Sequence, residues 1–205
     1  MIDTTIKNIS LHFHTNEEAF SPNSIDTGTL AMLSLVDFKE KDKVLDLGCG
    51  YGVVGILASK IIGSKNVIMC DISDNAISLS RENAILNEVD TDLTIQKSDG
   101  LRNITEDNFT IILSNPPYHA DFSVPKHFIE EGYRRLTPGG TLYMVTKRRD
   151  WYKNKIISVF GGVTIREIDG YQIFIAKKQP RKPRQEKPST PCMSKKLQRK
   201  LAKKR

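Results

Sequence analysis

The chain has 205 residues, enough for one domain with a substantial core, and its 39% hydrophobic and 27% charged content is that of an ordinary globular protein. No run approaches the roughly 18 apolar residues of a membrane-spanning helix, residues 1–6 do not read as a secretory signal, and Cys49, Cys70 and Cys192 are odd in number and lack Cys-x-x-Cys spacing, which argues against a disulfide framework or a zinc site and fits a cytoplasmic setting without a metal. The net charge of +7 is uneven, because from Lys177 onward 13 basic residues face one acid, Glu186, whereas residues 1–176 carry 18 basic and 23 acidic residues, so the basic end points to an anionic partner such as nucleic acid.

Residues 1–27 read as irregular apart from a short strand near 9–13, and a helix runs from Gly28 to about Phe38, capped by Asp26 or Thr27. The middle then alternates: strand 43–47, helix 51–62, strand 66–71, helix 74–87, strand 92–96 and strand 109–114. Ser73 or Asp74 caps helix 74–87, whose inner side is expected to carry Ala76, Ile77, Leu79, Ser80, Ala84, Ile85 and Leu86. Helix 124–136 stops at the breaker cluster Thr137-Pro138-Gly139-Gly140, and strand 140–146 and helix 150–160 follow. Such alternation implies a parallel sheet covered on both faces. Two β-rich runs, 163–168 and 171–176, flank Asp169-Gly170, a strong hairpin signal. Residues 1–176 are therefore expected to form the domain, with 1–42 leading into its core. Residues 177–205, with four prolines and little apolar content, form a basic tail expected to be unfolded when free.

Two stretches carry the chemistry. In Val44-Leu45-Asp46-Leu47-Gly48-Cys49-Gly50-Tyr51-Gly52 a buried strand runs into three glycines at alternate positions, and a helix follows. Glycine accepts positive φ and lets a ligand reach bare backbone, and the helix start adds unpaired N–H groups, so the turn can hold a polar part of a cofactor. Asp46 at the strand end would be a costly buried carboxylate without a partner, and Asp71, about 20 residues on at the next strand end, is placed for ribose hydroxyls. A dinucleotide turn needs Gly-x-Gly-x-x-Gly/Ala, but the sixth position from Gly48 is Val53, so that pattern fails. The second stretch, Ser114-Asn115-Pro116-Pro117-Tyr118-His119, follows the apolar run 109–113 and so lies at the ligand-binding edge of a doubly wound sheet. Its prolines stiffen a loop in which an Asn side-chain oxygen and a peptide oxygen can accept both hydrogens of an exocyclic amine, while Tyr118 offers a face for a planar base. Either stretch alone is also compatible with a rigid turn that binds nothing.

Asp46-Leu47-Gly48-Cys49-Gly50-Tyr51-Gly52 resembles the first motif of class I S-adenosylmethionine methyltransferases, and the terminal hairpin is a second match to that fold. The resemblance implies a doubly wound, Rossmann-like sheet of seven mostly parallel strands with an antiparallel C-terminal hairpin. It also implies S-adenosylmethionine as cofactor, held by Asp46, Gly48, Gly50, Gly52, Asp71, Ile72, Asp99, Gly100 and Asn115, with Asp99 facing the adenine. Asn-Pro-Pro-aromatic resembles the fourth motif of amino-directed methyltransferases, which act on adenine N6, guanine N2, cytosine N4 or a glutamine side chain. Asn115, Pro116 and Tyr118 would then be catalytic. Ala19-Phe20-Ser21 with Asp26-Thr27-Gly28, and His119 after the fourth motif, resemble the catalytic domain of bacterial small-subunit rRNA guanine-N2 methyltransferases over about residues 10–176. The duplicated amino-terminal domain of the longer members has no counterpart here, and the basic tail is a candidate substitute for RNA selection. Glutamine methyltransferases carry an extra domain before the first motif, for which the 42 residues before Lys43 leave too little room. The expected substrate is RNA, bound through Asn115, Tyr118, His119 and Lys147 and through the tail. His119 is either a contact to base or phosphate or a structural residue. Lys147, Arg148 and Arg149 are either phosphate contacts or a solvated turn.

Overall fold

The computed structural model describes residues 1–117 and 121–180. The chain opens with β1 (Ile2–Ile6) and β2 (Ile9–Phe13), an antiparallel hairpin whose turn residues Lys7 and Asn8 have φ of 52° and 64°. This corrects the expectation of irregular chain before residue 9. Ile2, Thr4 and Ile6 alternate with exposed residues, a period-2 pattern that a half-buried strand produces.

A single seven-stranded sheet follows: β3 (Val44–Leu47), β4 (Val67–Asp71), β5 (Thr94–Lys97), β6 (Phe109–Ser114), β7 (Leu136–Thr146), β8 (Thr164–Ile168) and β9 (Tyr171–Lys177), in the spatial order β5-β4-β3-β6-β7-β9-β8. All neighbours are parallel except β9, which is antiparallel to β7 and β8. This is the doubly wound, mostly parallel sheet that the sequence resemblance implied, closed by the hairpin at Asp169 and Gly170, both of positive φ. The helices are α1 (Thr27–Leu35), α2 (Val53–Ile62), α3 (Asp74–Leu86), α4 (Ser123–Arg135) and α5 (Asp150–Phe160).

Alternation along the strands builds two cores. Val44, Val67, Met69, Ile111 and Leu113 face one side, packing with α1, α2, α3 and the first hairpin. Leu45, Leu47, Ile68, Cys70 and Ile112 face the other, packing with α4 and α5. Asp46 lies between Leu45 and Leu47 and so points to the α2 side, the one carboxylate within an otherwise apolar strand.

Three local expectations are corrected. Ile85 and Leu86 are 64% and 36% exposed, and the inner face of α3 instead carries Ile77, Leu79, Ser80, Asn83 and Ala84. The Thr137-Pro138-Gly139-Gly140 breaker does not separate α4 from the strand, because β7 already begins at Leu136. The irregularity is absorbed as a register shift against β6, with Gly139 at φ 87°. Finally, the pairing runs past residue 176: Lys177 lies opposite Thr141, Gly139 N donates to Lys178 O at 2.7 Å, and Lys178 N donates to Gly140 O at 2.8 Å.

The buried asparagines of α3 act as a substitute strand. Asn87 accepts from His12 N at 3.0 Å and donates to His12 O at 2.6 Å; Asn83 accepts from His14 N at 2.7 Å and donates to His14 O at 3.0 Å. One helical turn apart, the two amides satisfy backbone groups of β2 and its exit, which the edge strand would otherwise leave unpaired. They fasten the amino-terminal hairpin to α3.

Candidate active site

The chain runs outward from β3 through β4 to β5 and then returns to the other side of β3 as β6. The strand order therefore reverses between β3 and β6, the position where doubly wound sheets bind ligands. The carboxyl ends of β4, β3 and β6 deliver Asp71, the glycine loop and Asn115 to one crevice. Asp46, Gly48, Gly50, Asp71 and Asn115 line it together.

The loop is held by hydrogen bonds that leave one side bare. Gly48 N and Cys49 N donate to Cys70 O at 2.9 and 3.0 Å, and Gly50 N donates to Asp71 Oδ2 at 3.0 Å. From α3, Ser80 Oγ donates to Gly50 O at 2.7 Å and Asn83 Nδ2 to Tyr51 O at 2.9 Å. Gly48 and Gly50 have φ of 79° and 54°, and a Cβ on either would meet nothing within 4 Å. Backbone that is strained for other residues yet open in space is a cradle for a ligand.

Asp46 is 2% exposed, and its Oδ2 accepts from Gly55 N at 2.8 Å. Burial pushes its carboxyl up to about 7, and neighbouring Asp71 adds to the rise, against the opposing Gly55 hydrogen bond. A cationic ligand group beside it would supply the charge it lacks. Burial also pushes Cys70 up to about 12 and Cys49 well above its ordinary value, so neither thiol is a nucleophile near neutral pH.

Asn115 has a fixed orientation. Its Nδ2 donates to Asp26 Oδ1 at 2.7 Å and to Thr29 Oγ1 at 2.9 Å. A carboxylate only accepts, so the NH2 must face Asp26. Oδ1 is then left buried with no hydrogen-bond partner among the described residues. A buried acceptor without a donor is costly unless a ligand satisfies it.

The chain belongs to the methyltransferase small domain family. That family's profile matches residues 10–175. The chain is 28% identical over 179 residues to the uncharacterized protein YbxB of Bacillus subtilis, covering 84% of this chain and 89% of that one. It is 29% identical over 184 residues to the ribosomal RNA large subunit methyltransferase G of Yersinia pestis, covering 86% of this chain but 46% of the relative. The fold is shared with a T. thermophilus 16S rRNA N2 methyltransferase, RsmC, in complex with AdoMet and guanosine: TM-score 0.75 at 23% identity, over 87% of this chain and 50% of that one. The chain thus spans about half the length of these two RNA methyltransferases.

Gly52, with φ 104°, caps α2 and does not line the crevice; neither does buried Pro116, although Pro117 does. Ile72 follows Asp71 on the rim and is 63% exposed. Asp99 and Gly100 lie outside the lining. The Asp99 carboxylate pairs with Arg102, and the loop is tied to β4 by Ser98 N donating to Asp71 O at 2.8 Å. Lys147 is exposed beyond β7, its Nζ 4.9 Å from the Tyr171 ring centroid. Tyr118 and His119 lie outside the described residues. Among the described residues no helix is long and apolar enough to cross a membrane, and no group of three or more His, Cys, Asp or Glu could hold a metal.

The crevice also holds residues to which sequence reasoning gave no site role. Ala19, Phe20, Asp26 and Thr29 line it. Asp26 reads in sequence as a helix cap, and it is one, accepting from Thr29 N at 2.9 Å. The available signal was Gly28 two residues later: a Cβ there would sit 2.5 Å from Tyr171 Cδ1, so α1 starts tight against β9.

Proposed function

We propose that the protein transfers a methyl group from S-adenosylmethionine to an exocyclic amino nitrogen of an RNA base, with guanine N2 of small-subunit rRNA as the first candidate. One observation carries the reading: an amide at a strand end whose NH2 is engaged and whose buried oxygen has no partner among the described residues. The cradle fits the cofactor. Gly48 and Gly50 offer bare backbone, Asp71 is placed for ribose hydroxyls, and Asp46 is placed for the ammonium of the amino-acid end. Bound S-adenosylmethionine supplies an electrophilic methyl on a sulfonium and leaves as S-adenosylhomocysteine.

The chain's own part is to present the amine. Asn115 Oδ1 accepts one hydrogen and a peptide oxygen of the same loop the other, so the nitrogen lone pair faces the methyl. With the donor methyl held in the cradle, the amine lone pair would form the N–C bond while the C–S pair returned to sulfur, and the methylated nitrogen would shed one proton to water. No strong general base is needed, and positioning accounts for much of the rate. Guanine N2 is favoured by the motif resemblance and by the shared fold with the guanosine-bound 16S enzyme. The Yersinia pestis relative acts, by its name, on the large subunit, and mass-spectrometric mapping of rRNA from a deletion strain decides between the subunits.

The test of the chemistry is Asn115→Ala. Methyl transfer to RNA is expected to vanish while S-adenosylhomocysteine binding persists. Retained methylation would remove Asn115 from the reaction, and a wild-type protein that binds S-adenosylhomocysteine but methylates no RNA would be a non-catalytic RNA-binding module. Tighter binding of NADH than of S-adenosylhomocysteine would overturn the cofactor assignment.

A further inference from the structure

We infer that Asp26 is a positioning residue that sets the hydrogen-bond polarity of the substrate pocket, by holding the Asn115 amide with its oxygen toward the ligand. The inference rests on the reading of Asn115 as the amine acceptor. An asparagine amide can be turned by half a rotation with little change in shape, and the turn exchanges an acceptor for a donor. A free Asn115 would present either edge. Asp26 Oδ1, an acceptor only, lies 2.7 Å from Nδ2, and Thr29 Oγ1 takes the second hydrogen at 2.9 Å. The turned amide would set two oxygens against each other at Asp26, so it is excluded. The pocket therefore shows Oδ1, which selects a group with hydrogens to give, such as the amine edge of guanine, adenine or cytosine. It disfavours a carbonyl edge such as that of uracil.

Asp26 is held in turn from two sides. Its Oδ1 also caps α1 by accepting from Thr29 N at 2.9 Å, and Tyr171 Oη on β9 lies 3.4 Å from Oδ2. The amino-terminal segment, the fourth motif and the terminal hairpin thus meet at one carboxylate. Residues 26 and 115 are 89 apart in sequence, and the contact exists only because α1 begins over the end of β6.

The bland alternative is that Asp26 does nothing but cap a helix, and substitutions separate the two. Serine caps as well as aspartate, but its oxygen lies one bond nearer the backbone and does not reach Asn115. Asp26→Ser is expected to keep the melting temperature and the S-adenosylhomocysteine affinity, and to lower kcat by about 30-fold with little change in KM for RNA, as for an interaction used only in the transition state. Asp26→Asn can still accept from both Thr29 N and Nδ2, and it is expected to stay within about threefold of wild type. Asn115→Asp places two carboxylates in contact and is expected to lose activity. Wild-type kcat in Asp26→Ser would overturn the inference, as would an Asp26→Asn variant no better than Asp26→Ser. Retained activity in Asn115→Ala would instead overturn the proposed chemistry itself, so the two failures are distinguishable.

Discussion

Replacing Asp46 by Asn removes the one carboxylate buried under the glycine loop, and its effects should change sign with cofactor and pH. The folded-state pKa of Asp46 is about 7 against an ordinary 3.8, raised by burial. The ligand-free folded protein therefore holds a proton that the unfolded chain gives up. The contribution of this carboxyl to stability is greatest below about pH 4, falls as pH rises from about 4 to about 7, and is level above that. Three pKa units at 1.36 kcal/mol each amount to about 4 kcal/mol. Asparagine can still accept from Gly55 N and carries no charge to desolvate, but its buried NH2 lacks a partner, which costs about 1 kcal/mol or more. Near pH 8 the ligand-free variant should thus be more stable than wild type by about 2–3 kcal/mol in urea denaturation, whereas near pH 4 the two should differ by no more than about 1 kcal/mol.

The cofactor should reverse that order. An ammonium beside Asp46 favours the carboxylate, so binding S-adenosylhomocysteine below pH 7 should expel a proton, about 0.9 near pH 6 and about 0.1 near pH 8. Calorimetry in two buffers of different ionisation enthalpy reads this directly, and the wild-type Kd should tighten as pH rises from 5.5 to 7. Loss of a charge-assisted bond of about 2 kcal/mol should weaken the Asn variant about 30-fold near pH 8. A wild-type Kd that is flat with pH, or an Asn variant with wild-type affinity, would show that Asp46 is not the partner of the ammonium.

Other expectations follow from single contacts. Gly55→Ala puts a Cβ 2.4 Å from Met69 Cγ and 3.2 Å from Asp46 Oδ2. It should cost about 1–3 kcal/mol in thermal melting and weaken cofactor binding; an unchanged melt would mean α2 has room to spare. Asn87→Ala strands both backbone groups of His12. It should cost about 2 kcal/mol and speed exchange of the His12 amide, while amides of β6 keep their protection. Lys147→Ala should weaken RNA binding and lower its salt slope by about 1 without altering S-adenosylhomocysteine affinity. Deleting 181–205, which keeps the Lys178 pairing with Gly139 and Gly140, should preserve the melt and lower that slope further, and an unchanged slope would exclude the tail from RNA binding.

Much of this molecule is determined locally and could be read from residue order. Val44 to Gly52 is a buried strand entering a loop of positive φ, and those glycines prescribe the cradle whatever surrounds it. The alternation of apolar runs and helical spacing implied a parallel sheet, and Asp169-Gly170 implied the closing hairpin. Asn115 stands out in the sequence as a candidate because a Pro-Pro pair stiffens the loop after an apolar strand, and in the fold it lines the crevice. Periodicity failed where a neighbour overrode it. Asn83 and Asn87 look like the polar face of α3, but β2 needs their amides, so they are buried and Ile85 is turned outward. Asp26 reads in the chain as a cap; only the folded protein sets it against an amide 89 residues away. Sequence pattern reports how a segment meets its own neighbours and the solvent. Which buried donor meets which acceptor is decided by the packing of elements distant in the chain, and that packing engages the Asn115 NH2 and leaves its oxygen without a partner among the described residues.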